Sequence, residues 1–156
     1  MRDSGPHPVG DRDAFVARFT AGWAGGREAL VAEMEGHVAE DVLLTQPLLP
    51  PARGLAGFHS QFERLFGAVP DLTGEVHAWG PTADGVLIDM TFHGTLAGRP
   101  FELPNCDRVV LRDGLLAERH ARFDPLPVMR IAATRPWALG PLMSAILPTR
   151  RVRGKD

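Results

Sequence analysis

Residues 105–125 read NCDRVVLRDGLLAERHARFDP, and the architecture follows from them. Two runs of alternating apolar and polar residues flank Asp113-Gly114, a dipeptide suited to a tight antiparallel hairpin. Side chains alternate across a strand, so Phe101, Leu103, Asn105, Asp107, Val109 and Leu111 share one face of the first run. A mostly apolar face therefore carries an amide and an acid, and a buried acid needs a partner or a purpose. Asp107 serves either the pocket of such a sheet or a core ion pair with an arginine. Asp124 closes the second run. Its alternation with Arg122, His120 and Glu118 describes the solvated face of an edge strand unless a bulge near the strand end turns it inward.

Working outward, alternation predicts strands at 72–79, 85–96, 99–111 and 115–123. Asp84-Gly85, Ala97-Gly98 and Asp113-Gly114 connect them as an antiparallel meander. Upstream the period becomes helical. Phe15, Phe19 and Trp23 are four apart and end at Gly25-Gly26; Leu30, Met34 and Val38 mark a second helix from Arg27 to about His37. DVLLTQ, residues 41–46, reads as a strand stopped by Pro47, Pro50 and Pro51 in a rigid loop. Phe58, Phe62, Leu65 and Phe66 mark a third helix over about 55–68. Helices first and hairpins after make an α+β fold.

A length of 156 residues allows one domain with a real core. We expect a loose arm at 1–10, the domain at 11–134, and an extension at 135–156. The extension is a lid, a dimer arm or part of the core. Its apolar stretch 142–147 lies between Pro141 and Pro148, and Arg150, Arg151, Arg153 and Lys155 form a basic tail. A net charge of −2 supplies no broad basic field, so no nucleic-acid partner is expected. Cys106 is the single cysteine, no apolar run is long enough to span a bilayer, and the amino terminus has no apolar signal core. A cytoplasmic protein without a membrane partner is the expectation. Without HExxH, a close histidine pair or a cysteine cluster, no metal is expected; without a glycine-rich phosphate loop, no cofactor. A G-x-S-x-G elbow is also missing.

The order of elements, with RGLAGFHSQF at 53–62, LAGRPF at 96–101 and RDGLLAERHARFDPLP at 112–127, resembles the nuclear transport factor 2-like superfamily, in its SnoaL-like, polyketide cyclase-like branch. The resemblance spans Asp11 to Val128 and implies a cone-shaped barrel: a strongly curved antiparallel sheet with three N-terminal helices enclosing one deep, mainly apolar pocket. It also implies dimers formed through the sheet, and hence a homodimer. Such proteins include polyketide cyclases, ketosteroid isomerases, limonene-type epoxide hydrolases and binding proteins without chemistry, and fold alone does not choose among them. Ketosteroid isomerases carry an aspartate base before the proline after the first strand, where this chain has Gln46; the acid of their oxyanion hole matches Asp107, but its tyrosine partner has no counterpart in a chain without tyrosine. Epoxide hydrolases of the limonene type use Arg-x-Asp on the middle strand, which falls near Thr91 and His93 here. The aspartate at the end of the last strand, shared by those hydrolases and the SnoaL-like cyclases, matches Asp124.

Asp124 is thus the expected acid/base, with His93 as proton holder because imidazole titrates near neutrality, and with Asp107 and Asn105 polarising a substrate carbonyl. His93 shares its face with Leu87, Asp89, Thr91 and Thr95, so it points either outward or into the pocket. His59, Trp23, Gln46, Phe19, Phe62 and Met90 are candidate substrate contacts; His59 is otherwise a packing or surface residue, and the apolar four are core residues that a cone also uses as pocket wall. The expected reaction is cofactor-independent cyclisation or isomerisation of a small, apolar, carbonyl-bearing molecule. The alternatives are epoxide hydrolysis and ligand binding or assembly without chemistry.

Overall fold

The computed structural model describes residues 8–138 together with Gly140 and Met143. Asp11 opens α1 (Arg12–Gly25) by accepting a hydrogen bond from the Ala14 amide at 3.0 Å, as an N-cap aspartate usually does. Gly26 then turns the chain into α2 (Arg27–Met34). Strand β1 (Val38–Gln46) begins three residues earlier than its apolar core suggested. It is followed by β2 (Leu49–Arg53) and α3 (Gly54–Ala68). The meander comprises β3 (Thr73–Pro81), β4 (Gly85–Leu96), β5 (Arg99–Arg112) and β6 (Leu115–Phe123), and α4 (Leu126–Thr134) comes after it.

The strands form one sheet in the order β2-β1-β6-β5-β4-β3. This is the expected α+β cone, with two corrections. The sheet is mixed, because β1 pairs with β6 in parallel, Thr45 opposite His120. No hairpin joins these two strands, so nothing obliges them to be antiparallel. The expected rigid loop at 47–51 gives way to β2, which contains Pro50 and Pro51; an edge strand tolerates prolines because its outer amides have no ladder partner. Helix α4 was not foreseen. The stretch 142–147 falls, Met143 apart, outside the described residues, as does the basic tail. Of the expected arm, Pro8 and Val9 accept hydrogen bonds from Asp113 and Gly114 at the β5–β6 turn. Residues 1–7 lie outside the described set.

The turns follow their residues. Ala97-Gly98 and Asp113-Gly114 all have positive φ, the conformation of a two-residue hairpin turn. Past the second turn, Arg112 pairs with Leu115 and Leu111 with Leu116, but from Val110 onward the register moves by one residue, so that Val110 faces Glu118 and Asp107 faces Ala121. Leu116 and Ala117 are consecutive and both buried, as a bulge requires. A one-residue shift exchanges the faces of everything beyond it. Ala117, Arg119, Ala121 and Phe123 therefore lie on the concave face with Asn105 and Asp107, while Glu118, His120 and Arg122 lie on the convex one.

The concave face and the helices form the core. Trp23 is its centre, with ring centroids 4.9 Å from Phe92, 5.9 Å from Phe62 and 6.3 Å from Phe66. It comes this close to the sheet because Gly74 lies beneath it: a Cβ there would stand 3.0 Å from that of Trp23 and 2.5 Å from the Met90 methyl.

Candidate functional site

Asp107 is fully buried, and both its oxygens accept hydrogen bonds: Oδ1 from Asn105 Nδ2 at 2.9 Å, Oδ2 from Arg119 Nε at 2.8 Å. Arg119 is itself only 3% exposed. Its guanidinium carbon stands 5.2 Å from the Trp23 ring centre and 6.0 Å from that of Phe19, within cation–π range. Arg119 Nη2 is buried without a hydrogen-bond partner. Asn105 Oδ1 accepts the Arg122 amide at 3.1 Å, which fixes the Asn105 side chain so that its amide group faces Asp107. Desolvating two charges is expensive, and their attraction offsets this only when the remaining polar atoms are satisfied. Here one is not.

Beside this group an apolar cavity of about 80 Å³, room for several water molecules, opens among β1, α3, β4, β5 and β6. Phe92, Leu103, Phe123, Val69 and Val128 line it, and Gln46 is the one uncharged polar side chain among its lining residues. Leu103 and Phe123 belong to this wall, and Asn105 stands opposite Phe123 in the β5–β6 pairing. The cavity and the polar group are thus successive levels of one concave surface.

The other expected site residues divide between inside and outside. Trp23, Phe19, Phe62 and Met90 are buried in the core, and Trp23 meets the cavity wall at Phe92. Gln46 is on the cavity wall. His93 lies on the convex side, half-exposed, with its ring nitrogens 3.5 and 3.6 Å from the Glu75 and Glu102 carboxylates. His59 is exposed on α3, its ring edge-on to Phe58. Asp124 is exposed at the entry to α4, where Oδ1 accepts the Leu126 amide at 2.9 Å. The structure therefore brings Asp107, Asn105, Trp23 and Phe19 together and leaves Asp124, His93 and His59 apart from them.

Arg119 was missed, although an arginine between Ala117 and Ala121 is a signal in the sequence: small neighbours on one face leave room for a long side chain. On the convex face, His120 Nδ1 is 2.7 Å from Thr45 Oγ1 and its Nε2 is 2.9 Å from Glu118 Oε2, a hydroxyl–imidazole–carboxylate chain that faces away from the cone. Among the described residues no three His, Cys, Asp or Glu side chains converge as a metal site requires.

Comparison with curated proteins finds no match. Solved structures match well in fold. A Jannaschia sp. CCS1 protein assigned as a SnoaL-like polyketide cyclase is 17% identical, with a TM-score of 0.67 over 83% of this chain and 95% of that one. TsrD from Streptomyces laurentii is 22% identical, with a TM-score of 0.62 over 77% and 95%. An epoxide hydrolase from M. tuberculosis, of the LEH-like kind, is 14% identical, with a TM-score of 0.62 over 80% and 98%. The SnoaL-like domain itself matches residues 16–119, most of α1 through the first half of β6, and this chain belongs to that family.

Proposed function

We propose that the protein is a cofactor-independent enzyme that takes a small, apolar, carbonyl-bearing molecule into its cone and cyclises or isomerises it, with Asp107 as the acid/base. The observation that carries this reading is the buried Asn105–Asp107–Arg119 group one level beyond the cavity wall. A concave, mostly apolar site with a few converging polar groups is the usual form of a small-molecule site. In the proposed step Asp107 takes the proton from the carbon next to the ligand carbonyl, and the electron pair moves onto the carbonyl oxygen. Arg119 Nη2, which has no other acceptor, donates to that oxygen. The carbanion then attacks a second carbonyl of the same molecule and Asp107 returns its proton to the alkoxide so formed, or Asp107 returns the proton to another carbon; either way the ligand's composition is unchanged. Both Asp107 oxygens keep a free lone pair beside their present bonds, so proton transfer does not require the ion pair to break.

A second reading, hydrolysis of an epoxide by activated water, has one observation in its favour: an arginine and an aspartate do meet in the cone, from β6 and β5 rather than as Arg-x-Asp on one strand. Incubation with polyketide-type carbonyl compounds and with epoxides, followed by mass spectrometry in oxygen-labelled water, separates the two. A mass-neutral product is expected; a product that has gained labelled oxygen would replace the first reading with the second. Ligand binding with no conversion of any substrate would indicate the non-catalytic alternative.

A further inference from the structure

Between the edge strand β2 and α3 lies a second concavity, an open groove of about 330 Å³. Residues 49–53 line it from the strand. From the helix it is lined by Gly57, Gln61 and Arg64, spaced four and three apart and hence on one helix face, with Ser60 beside them. Among the described lining residues the charged ones are both arginines, Arg53 and Arg64, in a chain whose net charge is −2. Pro50 and Pro51 bring carbonyl oxygens to this wall but no N–H, and a carbonyl oxygen repels an anion. Buried Gln61 engages one of these oxygens, its Nε2 donating to the Pro50 carbonyl at 3.3 Å.

The groove adjoins the apolar cavity. Leu49 lines both, and Leu65 of the cavity wall follows Arg64 in the chain. Leu49 is on β2 and Leu103 on β5, three strands away in the sheet order, about 14 Å at the usual strand spacing. The cavity thus has the two arginines on its β2 side and the Asn105–Asp107–Arg119 group on its β5 and β6 side.

We propose that the groove binds the carboxylate of the ligand whose apolar body fills the cavity, which makes the substrate an apolar keto acid. The inference rests on the reading of the cone as the ligand site and adds the chemical class of what enters it. A guanidinium presents a planar fork of N–H donors that matches the two oxygens of a carboxylate. In an open groove the anion keeps part of its hydration while the apolar remainder leaves water. The contact also fixes orientation: the charged end stays at the arginines and the ketone is carried toward Asp107.

The test is calorimetric titration of the full chain with ω-phenylalkanoates of increasing chain length and with their methyl esters, which keep the apolar body and lose the charge. At low salt the best acid should bind roughly tenfold or more tightly than its ester, and high salt should shrink that difference. Arg53→Gln and Arg64→Gln should each remove most of the difference and leave ester binding unchanged, whereas Arg53→Lys should keep part of it. Equal affinity for acid and ester, or equal loss of both in the arginine variants, would overturn the proposal and leave the reading of the cone standing. Binding of neither would overturn both. Binding of ω-phenylalkyl phosphates more than about tenfold tighter than the acids, with the same arginine dependence, would overturn the assignment to a carboxylate.

Discussion

Among single side chains, what matters most is which carboxylate is inside. Asp107 and Arg119 are buried together, so removing one leaves the other charge buried and alone. Arg119→Met should cost about 3–5 kcal/mol in a denaturant titration, whereas Asp107→Leu combined with Arg119→Met should recover most of that loss. Recovery would identify the pair as replaceable for folding and would leave function as the reason for its presence. Asp124 accepts the Leu126 amide where α4 begins. Asp124→Ala should cost about 1 kcal/mol or less, as loss of a helix-start acceptor does, and should leave turnover intact. A full loss of activity in Asp124→Ala with unchanged stability would return the acid/base role to that residue.

Among the helices and strands, the meander was legible in the sequence, whereas β2, the parallel β1–β6 pairing and one register were not. Strands β4, β5 and β6 lie within a residue of where alternation put them, because each has one buried and one wet face, and both residues of the Ala97-Gly98 and Asp113-Gly114 turns have positive φ, as their chemistry requires, whereas Asp84-Gly85 does not. The same alternation pairs Asp107 with His120 if the Asp113-Gly114 hairpin is regular, which would line up Glu118, His120, Arg122 and Asp124 beside Asp107. The bulge at Leu116-Ala117 moves Ala121 opposite Asp107 instead and brings Arg119 to its side. No turn residue marks a bulge inside a strand, so Asp107 could be recognised from the sequence while the register that brings Arg119 beside it could not. Helix α4 starts at Pro125 and Pro127, residues that break a helix interior but suit its first turn. The β3–β4 connection provides a pH prediction. Burial raises the carboxyl of Asp84, but hydrogen bonds from Thr82 and Arg108 outweigh it and hold that carboxyl below its ordinary range; the bond from Thr95 does the same for Asp71. A lowered folded-state value means the stabilisation is complete above the ordinary carboxylate value and is lost as pH falls through the lowered one. Thermal unfolding should therefore be flat from pH 7 to about 5 and decline below about 4. Asp84→Asn should differ from the parent by less than about 1 kcal/mol at neutral pH, and the difference should vanish in acid.

For the whole molecule, the cone holds an apolar cavity at one level and, at the next level of the same strands, the only charged side chains buried among the described residues. That ordering suits a ligand that enters by its apolar body and presents a carbonyl to Asp107 and Arg119. The most direct measurement is exchange of the hydrogen next to the carbonyl of a β-dicarbonyl probe in heavy water, followed by NMR for the parent chain, Asp107→Asn and Asp124→Asn. The parent and Asp124→Asn should exchange at similar rates, and Asp107→Asn should be slower by roughly 10²- to 10⁴-fold while remaining folded. Exchange by Asp107→Asn at the parent rate, or its loss in Asp124→Asn alone, would contradict the assignment of Asp107 as the acid/base.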